Sequence, residues 1–185
     1  MTAYVESVPA NLAMSRSANS WLLLLAALLV GCNGTPHLEG RVTDLAHVFS
    51  VTERQRITNM LAAYEAETSH QFVVLTVPTL SGEPIESYSL RVANAWRLGR
   101  KGVNNGILIT LATREHAARI ELGLGFQPYI SNAKAQEIMD QSMVPAFRNG
   151  QFAEGVESGL AQLMVEGRKF VAPADSKRGS IKTDG

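Results

Sequence analysis

Few residues in this sequence have the type and spacing that catalysis requires. The chain has one cysteine, Cys32, which excludes an intramolecular disulfide and a zinc centre built from several thiolates. The four histidines form neither of the paired spacings of zinc enzymes, H-x-x-x-H and H-E-x-x-H, and stand in unrelated contexts at His37, His47, His70 and His116. No G-x-S-x-G motif supplies a nucleophilic serine. The sequence therefore predicts no catalytic residue, and the thiol of Cys32 is the reactive group whose neighbours indicate a definite chemistry.

Nucleotide and nucleic-acid binding are disfavoured by the glycine spacing and by the charge. Gly123 and Gly125 lack the third glycine of the dinucleotide fingerprint, and the glycine-bearing residues 99–106 contain no G-K-[ST]. The 17 lysines and arginines balance 17 aspartates and glutamates, so the composition provides no basic surface for phosphates. We expect no nucleic-acid partner.

A short apolar segment precedes Cys32. Residues 21–30 read W-L-L-L-L-A-A-L-L-V, which is about half the length of a membrane-spanning helix, and Arg16 supplies a weak positive flank. Together with Gly31, the segment resembles the lipobox of bacterial lipoproteins, in which the cysteine takes a diacylglyceryl group and becomes the new N-terminus. The alternative is a buried anchor helix in which the cysteine is incidental.

The resemblance to the lipobox implies a processed and lipidated chain. Residues 1–31 are then a signal peptide, whose true start Met14 fits better than Met1, and Cys32 carries an anchor of the palmitate type. Residues 32–40 form a polar, lipidated tether to the membrane. Because Asn33 rather than an aspartate follows the cysteine, we expect a periplasm-facing protein of the cell envelope, with the outer membrane favoured.

The hydrophobic pattern after the tether predicts alternating helices and strands. Ser50 and Glu53 have the spacing of a capping box, and the helix behind them buries one face through Ile57, Leu61 and Tyr64. Two apolar runs, at 72–77 and 107–112, predict strands that are covered on both faces. The further elements are a strand at 117–122 and helices from Pro84 to about 98, at 132–143 and at 152–168.

This order of elements predicts an α/β fold. A buried strand, a crossover helix and a second buried strand indicate a parallel pair with helices on both faces. The strand at 117–122 should add antiparallel, because it follows a short turn, and its alternating apolar and polar residues indicate that one of its faces meets polar surroundings. We expect a three-layer α/β/α sandwich with a mixed and mostly parallel sheet over residues 41–170, followed by a disordered tail at 171–185.

Four segments cover nearly all of residues 41–170 in order. They are G-R-V-T-D-L-A at 40–46 with Phe49-Ser50, W-R-L-G-R-K-G at 96–102 with Asn104-Asn105-Gly106, R-I-E-L-G-L-G at 119–125, and P-A-F-R-N-G-Q-F at 145–152. Together and in register they resemble the TPM domain, known from thylakoid-lumen, photosystem II repair and receptor-accessory proteins and from bacterial envelope proteins.

The resemblance implies a Rossmann-like domain outside the cytoplasm and a candidate calcium site. Some members bind calcium through carboxylates at one end of the sheet, and a weak acid-phosphatase activity is attributed to plant members. Three of the family's acids are amides in this chain, which lowers the expected affinity because an amide brings no charge. The positions that match the family's site are Asp44, Asn104, Asn105, Glu121, Gln127 and Asn132.

Each of these positions also has an ordinary structural explanation. Asp44 precedes a helical stretch and could cap a turn, and Glu121 could pair with Arg119 on the same strand. Asn104 and Asn105 are good turn residues before a glycine. The sequence thus predicts a weak or degenerate calcium site rather than a tight one.

Two functions from different classes follow. The first is a membrane-anchored, non-enzymatic binding or assembly module with an unknown protein partner in the envelope. The second is a weak calcium-dependent acid phosphatase that uses Asp44 and Glu121, with the amides around the ion. The loss of three acids and the lack of a base–nucleophile pair favour the first.

Overall fold

The structure, a computed structural model, describes residues 34–170. The fold described below lies within the unit Thr35–Gly185. The expected signal peptide at 1–31, the lipidated Cys32, Asn33 and the tail at 171–185 lie outside the described residues.

A four-stranded sheet forms the middle layer, in the order β1-β2-β3-β4. Strand β1 pairs parallel with β2, β2 pairs parallel with β3, and β4 returns antiparallel to β3. Every residue of β3 is buried, as its continuous apolar run predicts. The strands are β1 (Val42–Asp44), β2 (Gln71–Val77), β3 (Gly106–Ala112) and β4 (Ala117–Leu122).

The helices cover both faces of this sheet. The first helix begins at the capping box of Ser50 and Glu53, in which both hydrogen bonds are present. Residues of β2 alternate between the two cores, because Phe72 and Val74 face one side and Val73 and Leu75 the other. The helices are α1 (Val51–Thr68), α2 (Ile85–Ala95), α3 (Asn132–Ile138), α4 (Val144–Arg148) and α5 (Phe152–Gly167).

The three-layer α/β/α sandwich is therefore confirmed, as is the antiparallel addition of β4. Helices α1, α3 and α5 bury their apolar faces in one core, and among the helices within residues 34–170 only α2 covers the other face. Strands β1, β2 and β3 follow one another across the sheet in chain order. The helices that connect them, α1 and α2, lie on opposite faces of the sheet. The two crossovers consequently have opposite hands, and one of them is the rare left-handed form.

The helical segment after the sheet is longer than expected. The pattern predicts one helix over 132–143, but the chain continues through a π-helix, Met139–Met143, into α4. The wider π-turn fits Pro145, which lies in the first turn of α4 and would otherwise interrupt the helical hydrogen bonds. The prediction was wrong about where this segment ends.

The segment before β1 contacts α2. The indole N–H of Trp96 donates to the carbonyl oxygen of Pro36 at 2.8 Å, and Arg91 donates to the Thr35 hydroxyl at 3.0 Å. Leu38 packs against the core on the α2 face. Within residues 34–170, no helix has the length and apolar character needed to cross a bilayer.

Candidate binding cleft beside β4

Asp44 lies at the carboxyl end of β1 and is almost completely buried, with 5% of its surface exposed. Its carboxylate accepts the backbone N–H groups of Val48 at 3.2 Å and Phe49 at 3.1 Å. It also accepts the hydroxyl of Thr76 from the neighbouring strand. These bonds fix the connection between β1 and α1, so both carboxylate oxygens already have partners within the protein.

Asn105 also has a structural role, at the opposite end of the sheet. Its side-chain oxygen accepts the backbone N–H of Arg100 at 2.8 Å, and its amide nitrogen donates to the carbonyl oxygen of Ser69 at 2.8 Å. Only 2% of the residue is exposed. Asn105 therefore joins the loop before β3 to the end of α1 and offers no free group to a ligand.

The other four predicted site residues line one cleft of about 350 Å³ beside the end of β4. Helix α2 contributes Leu90, Ala93 and Asn94 to the same cleft, and β4 contributes Arg119. The structure thus brings together four of the six positions and leaves the other two elsewhere. The four are Asn104, Glu121, Gln127 and Asn132.

Two glycines allow the walls of this cleft to meet. A Cβ atom on Gly123 would collide with the carbonyl oxygen of Asn104, and one on Gly125 would collide with that of Val103. The backbone N–H of Gly125 donates to the Asn104 oxygen at 3.1 Å. The Gly-x-Gly segment therefore serves a close approach of two loops, which places Asn104 near Gln127.

One carboxylate lines the cleft among the described residues, and it is paired. The Oε2 atom of Glu121 accepts the Nε–H of Arg119 at 2.9 Å, on the same face of β4. The four amide side chains that line the cleft have no hydrogen-bond partner within residues 34–170. They are those of Asn94, Asn104, Gln127 and Asn132. Each offers one acceptor oxygen and two N–H donors to a ligand.

This set of side chains does not resemble the coordination sphere of a calcium ion. Calcium takes six to eight oxygens and gains affinity from several carboxylates, whereas the cleft offers one carboxylate that Arg119 already neutralises. Among residues 34–170 no cluster of three or more His, Cys, Asp or Glu could hold a metal. The arrangement suits hydrogen bonding to an uncharged polar ligand, and calcium binding stays a prediction for titration.

Sequence reasoning missed Asn94 and a buried polar pair beyond the cleft. Asn94 lies on the exposed side of α2, where only the fold shows that it faces β4. The hydroxyl of Tyr64 and Nδ1 of His70 lie 3.0 Å apart within an aromatic cluster. Burial lowers the pKa of His70 and raises the pKa of Tyr64 to about 12, since both charged forms lose hydration there.

Comparisons with known proteins agree with this architecture. The family model described as the TPM domain matches residues 42–166. The N-terminal domain of a protein from P. gingivalis is 30% identical, with a TM-score of 0.63 over 68% of this chain and 80% of that one. No curated protein matches the sequence significantly.

Two other bacterial structures share the fold at lower identity. The BA42 protein from Bizionia argentinensis is 18% identical, with a TM-score of 0.59 over 67% of this chain and 84% of its own. The N-terminal domain of a Corynebacterium glutamicum protein is 16% identical, with a TM-score of 0.54 over 82% and 93% of the two chains. Since the family model spans most of the described fold, this chain belongs to the TPM domain family.

Proposed function

We propose that this chain is a lipid-anchored envelope protein whose TPM domain acts as a binding or assembly module. The observation that carries the binding role is the cleft beside β4, where four amide side chains lack partners among the described residues. The one carboxylate there is held by Arg119, so its charge is already balanced. A surface of this kind can hold a ligand without transferring a proton or activating a nucleophile.

The chemistry of the cleft fits a polypeptide partner. Peptide groups present one donor and one acceptor each, and side-chain amides match both in either orientation. The cleft also has an apolar side formed by Leu90, Ala93 and Leu122, which can contact side chains of the partner. Binding of a protein therefore uses both parts of the lining, whereas a phosphate would meet no unpaired cation among the described residues of the cleft.

The proposed anchor would hold the domain close to a membrane. Thr35 and Pro36 are bonded to α2, so three residue steps separate the proposed lipid on Cys32 from the folded domain. A fully extended chain covers at most about 3.6 Å per residue, which gives a reach of roughly 11 Å. A partner in the same membrane, or bound to it, would then be concentrated near the domain.

Site-specific photocrosslinking in cells tests the binding role. A photoreactive phenylalanine at Gln127, which is exposed at the rim of the cleft, should yield a discrete crosslinked species in the envelope fraction. The same group at Arg54, exposed on the outer face of α1, is the matched control. Crosslinks of equal yield from both positions, or none from Gln127, would count against a partner at the cleft.

Calcium titration by calorimetry, together with a phosphoester assay, separates this function from the phosphatase. We expect neither heat nor turnover. Calcium-dependent turnover that is abolished by Glu121→Gln would replace the binding role by the enzymatic one.

Replacement of the cysteine tests the anchor. Cys32→Ser should move the protein from the membrane fraction to the soluble fraction, because two or more acyl chains are what hold a lipoprotein to a bilayer. Membrane partition that is unchanged by the substitution, or an unmodified thiol in the mass of the purified protein, would refute lipidation.

A further inference from the structure

The backbone of β4 has one side that no other strand within residues 34–170 covers. The N–H of Gly123 donates to the carbonyl oxygen of Gly106 at 2.8 Å, which fixes the phase of the antiparallel ladder between β3 and β4. Hydrogen-bonded and non-bonded pairs alternate along such a ladder. Glu121, Arg119 and Ala117 are therefore bonded to β3.

The residues between them direct their backbone N–H and C=O groups away from the sheet. These are Ala118, Ile120 and Leu122, and no group within residues 34–170 donates to or accepts from their backbones. An edge strand of six paired residues with free polar groups is a template for another strand. Strand β1, at the opposite edge of the sheet, has three residues and is therefore a much shorter template for an added strand.

This edge forms the floor of a groove. Helix α2 forms one wall through Ile85 and Glu86, and α3 forms the other through Asn132 and Gln136, around a space of about 200 Å³. The groove opens at one end into the cleft with the four free amides, since Arg119, Ile120 and Asn132 line both. The edge therefore lies inside a continuous depression rather than on a convex surface.

At its other end the groove opens into a mainly apolar cleft of about 460 Å³. Ala118, Gln136 and Met139 line both spaces. The rings of Phe147 and Phe152 stack 5.8 Å apart in the lining of this cleft. These two residues belong to the P-A-F-R-N-G-Q-F segment, for which the proposed function has no other use.

The two clefts extend mainly over opposite faces of the sheet, and each also reaches round the β4 edge, the amide cleft to Ile120, Leu122 and Asn132 and the apolar cleft to Ala117. Arg119 and Glu121 point toward the face of α2, while Ala118 and Ile120 point toward the face of α3 and α5. Side chains of an added strand would alternate between the same two faces. One set would enter the amide cleft and the other the apolar cleft.

We propose that β4 receives an extended segment of a partner polypeptide as a fifth strand, with apolar side chains alternating with polar ones. The inference rests on the proposed binding function and names the form of its partner. Main-chain hydrogen bonds to Ala118, Ile120 and Leu122 provide affinity, and the two clefts provide specificity. A second copy of this chain fits less well, because its β4 edge is recessed between α2 and α3 in the same way, so that two such edges could not approach to hydrogen-bonding distance.

Amide hydrogen exchange by NMR on the full chain in detergent tests the pairing. The probes are capped eight-residue peptides in which Val, Leu or Phe alternates with Asn, Gln or Thr, and the controls have the same composition in shuffled order. In the free protein, the amides of Ala118, Ile120 and Leu122 should exchange faster than those of Arg119 and Glu121. A saturating alternating peptide should slow the first three by at least about tenfold, the effect of one good hydrogen bond.

A proline variant and its matched valine control test the direction of the β4 backbone groups. Ala118→Pro removes an outward N–H and leaves the ladder to β3 intact, a position at which edge strands accept proline. It should weaken peptide binding about tenfold or more, with a melting temperature close to that of the wild type. The Ala118→Val variant should bind the peptide as tightly as the wild type does. If Ala118→Pro unfolds, two peptides provide the same test, one N-methylated at its odd-numbered residues and the other at its even-numbered residues. Only one of the two should fail to bind, because only one set of peptide N–H groups faces β4.

Several outcomes would overturn the inference. They are no binding by any alternating peptide, binding that leaves the three outward amides unprotected, and slowed exchange that accompanies self-association without peptide. Binding that Gln127→Ala abolishes but that protects no β4 amide would refute strand addition and leave the cleft as a binding site. Peptide pairing without a crosslink at Gln127 in cells would instead count against the proposed function while strand addition stands.

Discussion

The substitution Asp44→Ala should destabilise the domain, because its carboxylate joins β1 to the chain before α1. Three donors would lose their acceptor: the N–H groups of Val48 and Phe49 and the hydroxyl of Thr76. Thr76 is fully buried and Phe49 nearly so, and each of these donors would be left unsatisfied at about 1.5–2.5 kcal/mol. Val48 can turn toward water, so the expected loss is about 3–5 kcal/mol.

A loss of this size is a large part of the free energy of unfolding, which for a domain is about 5–15 kcal/mol. It corresponds to a fall in melting temperature of roughly 6–20 °C for a chain of this length. Asp44→Asn should lose about half as much, since one oxygen remains and the Thr76 hydroxyl can turn to accept from the new amide.

Thermal and urea denaturation, each with calcium and with chelator, measure this effect and test the alternative role of Asp44. The control is Asp140→Ala, an exposed carboxylate that accepts from Gln136, whose loss should change stability by no more than about 0.5 kcal/mol. A wild-type protein that calcium stabilises, and an Asp44→Ala variant that is weaker only when calcium is present, would refute the structural role. An Asp44→Ala variant as stable as Asp140→Ala would do so as well.

Three further changes test other parts of the fold. Burial lowers the pKa of His70 in the folded state. The contribution of neutral His70 to the free energy of unfolding should therefore be at its full value above about pH 6.5 and should decline as the pH falls toward the lower pKa of the folded state. Urea midpoints from pH 8 to 5 measure the decline, which His70→Gln should flatten. Gly125→Ala should cost about 3 kcal/mol in the same assay, because its Cβ would meet the carbonyl oxygen of Val103. Trp96→Phe removes the 2.8 Å bond to Pro36 and should lower stability by about 1 kcal/mol, and limited proteolysis should then cut within residues 35–40.

The layers of the fold could be predicted because burial leaves a direct record in sequence. The apolar runs at 72–77 and 107–112 indicated strands covered on both faces, and the alternation at 117–122 indicated a strand with one face toward polar surroundings. The end of the helix that begins at Asn132 could not be predicted in this way. Its continuation depends on a π-turn ahead of Pro145, and such a turn leaves no periodic signal.

The candidate site could be predicted only in part, because a motif gives the order of residues and not the direction of their side chains. Asp44 and Glu121 match the same family pattern, yet one is bonded into the β1–α1 connection and the other lines the cleft. Asn104 and Asn105 are neighbours in sequence, but the positive φ of Asn104, +53°, turns it outward while Asn105 is buried. Asn94 belongs to none of the family segments, so no motif marked it as a site residue.

The position of the cleft departs from the usual rule for open α/β sheets, and the reversal of β4 explains why. Ligands generally bind beyond the carboxyl ends of parallel strands, which in this sheet is the end where Asp44 lies. There the carboxylate is already bonded to backbone and to Thr76, so the expected site is closed. Because β4 runs antiparallel, its own carboxyl end reaches the amino end of β3, and Gly123 and Gly125 then bring the loop of Asn104 against it. The free amides thus gather where β4 ends, next to the one long edge of the sheet. A binding role at this place depends on the edge strand, so variants that change β4 should affect partner binding more than variants at Asp44 that still fold.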